Sequence, residues 1–108
     1  ENMTKTKEVE QALTSLGFED ELIRSSIKKI RAGKGKLRGR PYRRKKGILI
    51  VVGQDCSLLR AAQNVPGVDV VTVRSLNAHV LAPGAMPGRV TLWTESAINV
   101  LEKERLFC

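Results

Sequence analysis

"ILIVVGQDCS", residues 48–57, decides the fold. Five apolar residues stand in a row from Ile48 to Val52, four of them β-branched, with glycine on both sides. A strand with one wet face alternates apolar and polar residues. An unbroken run belongs to a strand covered on both faces, which is the habit of a parallel sheet. Gly53 to Ser57 then reads as a turn, with Asp55 and Ser57 as helix caps. Leu58, Leu59 and Ala62 mark a short helix ending near Asn64.

Downstream the pattern repeats. Pro66-Gly67 turns the chain into a second strand, Val68 to Val73, and a short helix is expected from Ser75 to Val80. Residues 81–88 hold two prolines and two glycines and form a loop. Val90 to Trp93 is a third strand, and Thr94 caps a last helix carrying Ala97, Ile98 and Leu101. Trp93, Phe18 and Phe107 are expected in the core, because so few aromatic side chains are present to fill it. Upstream, Val9, Ala12, Leu13 and Leu16 space a helix with Thr6 at its N-cap and Gly17 past its end. A second helix is expected from Asp20, with Ile23, Ile27 and Ile30 facing the core and Arg24, Lys28 and Arg31 on an adjoining basic face.

Strand-helix alternation of this kind predicts an α/β fold: a parallel sheet of three to four strands with helices on its faces, a Rossmann-like partial domain carrying a basic irregular arm. Three strands are few, so a further strand is expected from sequence preceding Glu1 or from a partner surface. The 108 residues suit one α/β domain over 1–108, large enough to bury about 60–65% of its unfolded surface. The start at Glu1 rather than Met suggests a piece of a longer chain.

Charge separates this sequence from an ordinary small domain. Nineteen Lys and Arg against eleven Asp and Glu leave a net charge of +8. Twelve of the nineteen fall between Arg24 and Lys46, and no acidic residue lies between Glu21 and Asp55. The arm, residues 31–47, carries nine cations and no anion. Blocks of like charge are often disordered tails, but this one joins a helix to the central strand, so both its ends are pinned. A polyanion is the implied partner, and Gly, Arg and a lone Tyr42 suit RNA: close backbone approach, bidentate phosphate contacts and one stacking face. The candidate RNA-binding residues are Arg24, Lys28, Arg31, Gly33, Lys34, Gly35, Lys36, Arg38, Arg40, Tyr42, Arg43, Arg44, Lys45 and Lys46. Arg89, entering the third strand, either joins them or caps its loop. An anionic membrane is disfavoured, since only Leu37 and Tyr42 interrupt the charges between Gly33 and Lys46.

Other chemistries find little support. Gly33-Lys34-Gly35-Lys36 lacks the preceding strand and the Ser or Thr of a phosphate loop. His79 is the only histidine and has no ligand cluster, so neither metal nor cofactor is expected. No nucleophile, base and orienting group assemble, and no catalytic residue is assigned. The alternative is a small α/β ligand-binding domain or enzyme taking an anionic substrate at the 53–57 turn. Cys56 and Cys108 make no disulfide framework, no apolar run reaches the roughly 18 residues of a membrane span, and the N-terminal stretch lacks the hydrophobic core of a signal peptide.

An ordered set of short motifs runs along almost the whole chain: Thr4 to Glu8, Arg31 to Lys36, Asn64 to Val68, Ser75 to Asn77, Leu81 to Gly84, Gly88-Arg89 and Trp93 to Ala97. In that order they resemble the C-terminal half of the ribosomal protein L four family, archaeal and eukaryotic type. The resemblance implies an α/β domain in the cytoplasmic ribosome, a structural constituent rather than an enzyme. Its implied partners are large-subunit ribosomal RNA, with Gly33 to Lys36, Arg38, Arg40 and Arg43 to Lys46 packed on it, and neighbouring ribosomal proteins. It implies no small-molecule substrate. The family's first strand, first helices and long tunnel-reaching loop have no counterpart in this stretch, so no tunnel lining is expected of it.

Overall fold

The computed structural model describes residues 3–107. Helices α1 (Thr6–Ser15) and α2 (Glu19–Ser26) come first. A two-stranded antiparallel ribbon, β1 (Lys28–Ile30) and β2 (Tyr42–Arg44), follows, with a 3-10 turn (Lys34–Arg38) at its tip. Strand β3 (Leu49–Val52) leads to α3 (Ser57–Ala61), β4 (Asp69–Thr72), α4 (Ala78–Leu81), β5 (Thr91–Trp93) and α5 (Glu95–Glu104).

The continuous apolar run does what its pattern requires. β3 is the middle strand of a three-stranded parallel sheet ordered β4-β3-β5, and all four of its residues are buried. Ile48, Ile50 and Val52 face one core with Val9 and Leu13 of α1 and Leu58 and Ala61 of α3, joined by Phe18 and Leu22. Leu49 and Val51 face a second core with Val73, Leu76 and Ala97, flanked by Leu101. Successive strand residues point to opposite faces, so one short segment nucleates both layers. Gly53 is needed for space at its C-terminal end: a Cβ there would stand 3.0 Å from the Ser96 backbone, where α5 begins. Thr94 caps α5 as expected, its hydroxyl accepting from the Ala97 amide at 3.3 Å.

Four local expectations are corrected. The second helix stops at Ser26, and Lys28 to Ile30 are strand. Its inward face is Phe18, Leu22 and Ser25, while Ile23, Ile27 and Ile30 are exposed. Ser25 and Ser26 bond back to helix carbonyls, Ser25 to Glu21 at 2.9 Å and Ser26 to Ile23 at 2.7 Å, which competes with helix continuation. At α1 the N-cap is Lys5, Thr6 being the first helical residue. At α3 the N-cap is Cys56, without a side-chain cap, rather than Asp55 or Ser57. Ser75 to Val80 divides into a 3-10 turn (Val73–Ser75) and α4, which Asn77 caps by accepting from the Val80 amide at 2.9 Å.

Trp93 and Phe107 are also exposed rather than core, at 36% and 67%, whereas Phe18 packs on the first core as expected. Trp93 ends β5, an edge strand with no neighbour on its outer side among the described residues. Cys56 is a free thiol, and Cys108 lies outside the described residues.

Candidate nucleic-acid interface

The arm is a hairpin rather than an irregular loop. Its ribbon pairs Lys28 with Arg44, Lys29 with Arg43 and Ile30 with Tyr42, and a further bond from the Arg31 amide to the Pro41 carbonyl, 2.9 Å, carries the pairing toward the tip. Gly33 (φ +84°, ψ −167°) and Gly39 (φ +74°) take the conformations that reverse the chain around the 3-10 turn, and the first is open essentially to glycine alone. Gly35 is needed for space instead, since a Cβ there would lie 2.7 Å from Arg31 Cδ. Arg31 threads through that gap and donates from Nε to the Arg40 carbonyl (3.1 Å) and from Nη2 to the Tyr42 carbonyl (3.4 Å). Its guanidinium is the tie of the hairpin.

The ribbon's electrostatics run against its own stability. Directly opposed like charges destabilise an antiparallel pair, and two of the three registers here set cation against cation. Lys28 finds partial relief by placing its ammonium 3.6 Å from the centre of the Tyr42 ring. Lys34, Lys36, Arg38, Arg40, Arg43, Arg44 and Lys45 are exposed and make no ion pair among the described residues. Lys29, which a helical reading sets apart from the basic face, stands opposite Arg43. Strand alternation through Lys28, Lys29 and Ile30 is the signal that would have found it, but only once the pairing with residues 42–44 is known.

Four of the expected site residues are wholly or partly committed inside the protein. Arg24 pairs with Glu21 at 2.8 Å and donates to the Lys46 carbonyl at 2.9 Å. The hydrogen bond from Arg24 holds the Glu21 carboxyl below its ordinary pKa, against the smaller opposing effect of desolvation. Arg31 is the tie just described, and Lys46 reaches Asp69 at 3.3 Å. Arg89 is turned inward, its side chain 4% exposed. All three of its nitrogens donate internally, Nε to the Gly47 carbonyl (2.9 Å), Nη1 to the Val80 carbonyl (2.9 Å) and Nη2 to Asp69 (2.6 Å). Burial disfavours the Asp69 anion, but the hydrogen bond from Arg89 and the Lys46 charge outweigh it, and the carboxyl is held below its usual range.

These groups form the seat of the arm. Beside them Ser25, 1% exposed, donates to the Pro66 carbonyl at 3.0 Å, and the Gly47 amide donates to the Gly67 carbonyl at 2.8 Å. A Cβ on Gly67, at φ +78°, would fall 2.4 Å from the Ser25 Cβ; one on Gly47 would fall 2.9 Å from it. Three backbones meet where only small residues fit. Ser25, Gly67 and Asp69 therefore position the arm; in sequence Gly67 reads only as a turn residue, and the other two do not stand out.

The 53–57 turn offers much less. Asp55, Cys56 and Ser57 line a wide-open depression of about 630 Å³ with Thr4, Leu59, Arg60 and Gln63, and Ser96 packs against Gly53 at the start of the turn. Among the described residues no cluster of His, Cys, Asp or Glu could hold a metal ion, and His79 is exposed on α4. No helix among them is long and apolar enough to cross a membrane.

Comparison with known proteins identifies this architecture. The family model described as ribosomal protein L4/L1 family matches residues 2–104. The chain is similar to the large ribosomal subunit protein uL4 of Methanococcoides burtonii, 52% identical over 103 residues, which cover 94% of this chain and 41% of that protein. It is 50% identical over 106 residues to uL4 of Methanocaldococcus jannaschii (97% and 42% covered). Against uL4 of Methanoregula boonei it is 53% identical over 104 residues (94% and 41%). It thus spans about two-fifths of the length of these relatives rather than half. With a family match over nearly every residue and half of the aligned positions identical, the chain belongs to the ribosomal protein L4/L1 family, a family of ribosomal proteins and not of enzymes.

Proposed function

We propose that this chain is a structural part of the large ribosomal subunit in the cytoplasmic ribosome. On this reading its hairpin arm binds ribosomal RNA, its α/β body is the mount, and neighbouring ribosomal proteins pack around it. The relatives carry the name of a large-subunit protein. The observation that carries the reading is the ribbon register, Lys28 against Arg44 and Lys29 against Arg43, with no acidic side chain among the described residues paired to any of the four. A folded element that opposes its own charges in this way is completed by an external polyanion. Phosphates contacted by fixed cations give affinity, and RNA shape gives selectivity, because the deep, narrow major groove of an A-form helix keeps most base edges out of reach of side chains.

Salt titration of RNA binding tests this. If about six cations each neutralise a phosphate, log affinity falls against log salt with a slope of roughly −4 to −5. The double substitution R43A/R44A is expected to weaken binding and to flatten the slope by about one unit per arginine. Unchanged affinity and slope would count decisively against the arm as the RNA-binding element.

A further inference from the structure

The ribbon is open on both sides. All six of its residues are exposed, where a ribbon lying on the body would bury every second one. The molecule is correspondingly drawn out, 48 × 32 × 22 Å, with a radius of gyration of 15.2 Å, against about 13 Å for a compact domain of this length. Alternation then divides the side chains. Lys28, Ile30, Tyr42 and Arg44 share one face; Lys29 and Arg43 share the other.

The two faces differ in what they present. The first has a cation pair toward the body and an apolar pair, Ile30 and Tyr42, toward the tip, with Lys28 drawn onto the tyrosine ring. The second has Lys29 and Arg43, which line a cavity of about 240 Å³ together with Ile27, Lys45 and also Arg44 of the other pair. Side chains on opposite faces of a ribbon point apart, so their charged ends reach surfaces on the order of 10 Å or more from one another. A single A-form duplex does not supply both. Its major groove is too narrow and deep to admit the ribbon, and its wide, shallow minor groove would touch one face and leave the other in water.

We propose that the arm is a two-sided bridge, binding two RNA segments at once, one on each face, and so holding together two RNA backbones that would otherwise repel. This rests on the RNA-binding reading above and adds to it the kind of RNA recognised: a place where two helices or strands run side by side. Anions on both faces relieve both cation pairs, whereas one-sided binding would leave Lys28 and Arg44, or Lys29 and Arg43, opposed and uncompensated.

The test uses a two-helix RNA joined by a flexible hinge, with a donor and an acceptor dye on the two helices, at a magnesium concentration that leaves the hinge open. The wild-type chain is expected to close it, seen as a rise in energy transfer. K28A/R44A and K29A/R43A each remove the opposed cation pair of one face, and the same charge. Each is expected to bind a single duplex, with the salt slope reduced by up to about two units, yet to leave the hinge open. K34A/K36A removes equal charge from the tip and keeps both faces, and is expected to close the hinge. Circular dichroism of each variant checks that the body is intact. Closure by either single-face variant, or wild-type binding without closure, overturns the bridge while leaving RNA binding in place. Absence of any RNA binding, or preference for an acidic peptide over RNA, overturns both.

Discussion

Strand β3 and the β1–β2 ribbon are both short runs of extended backbone, yet every residue of β3 is buried and every residue of the ribbon is exposed. Strand β3 is held by what it excludes from water on two faces. The ribbon is held by its backbone ladder, by Arg31 across its tip and by the small-residue seat at Ser25, Gly47 and Gly67. One element stabilises the fold and presents no side chain to solvent. The other contributes little to a core and keeps its side chains free for a partner. Such a division predicts that stability and RNA binding respond to different substitutions.

The largest break in that comparison should come from apolar residues in the two places. Leu49 is fully buried in the second core, and Leu49→Ala is expected to cost about 2–5 kcal/mol. Leu37, 89% exposed at the arm tip, is expected to change stability by no more than about 0.5 kcal/mol on the same substitution. Urea denaturation followed by circular dichroism compares them directly. Equal losses would mean that the arm is packed onto the body after all.

A smaller effect sharpens the division, because it concerns two arginines of the same charge. Arg89→Met removes three internal donors and strands the Gly47 and Val80 carbonyls, an expected loss of about 1–3 kcal/mol. Arg44→Ala should leave stability nearly unchanged. The order reverses for RNA. Under conditions where both variants are folded, Arg44→Ala lowers the salt slope by about one unit and Arg89→Met leaves it alone. A slope change at Arg89→Met would return that residue to the binding surface.

The sequence made the body legible and the arm only in part. Ile48 to Val52 announces a doubly covered strand by itself, since five apolar residues in a row have no wet face to offer. Thr94 announces α5 by a local capping rule. The misreading at Asp20 to Arg31 has a definite cause: Ile23, Ile27 and Ile30 fall at i, i+4, i+7, but so do Phe18, Leu22 and Ser25. A serine does not advertise itself as the inward residue. What turns Lys28 into strand is its pairing with Arg44, sixteen positions on. Local periodicity cannot contain that information. Arg89 is the same case from the other side. A lone arginine after a Pro/Gly loop looks like surface, and only the meeting of Gly47, Val80 and Asp69 around it shows that it is buried.

The smallest expected effect lies where the two regions join. Asp69 is shared by Arg89 of the body and Lys46 of the arm, and its carboxyl is held below the ordinary value in the folded chain. A depressed carboxylate pKa contributes stability that is complete above the unfolded-state value, near pH 4, and is lost as pH falls through the folded-state value. The seat should therefore be insensitive between about pH 5 and 8 and weaken below about pH 4. Because the Asp69 side chain is 38% exposed, solvent screens the effect, and it is expected to be modest. Amide hydrogen exchange at Gly47, whose N–H donates to the Gly67 carbonyl beside this network, is the local reporter. Protection there should fall in acid before protection in β3 does. In Asp69→Asn, which cannot ionise, the acid-dependent part of that early loss should disappear. If Gly47 and β3 lose protection together in the parent chain, the seat and the core open as one unit, and the arm is no separate device.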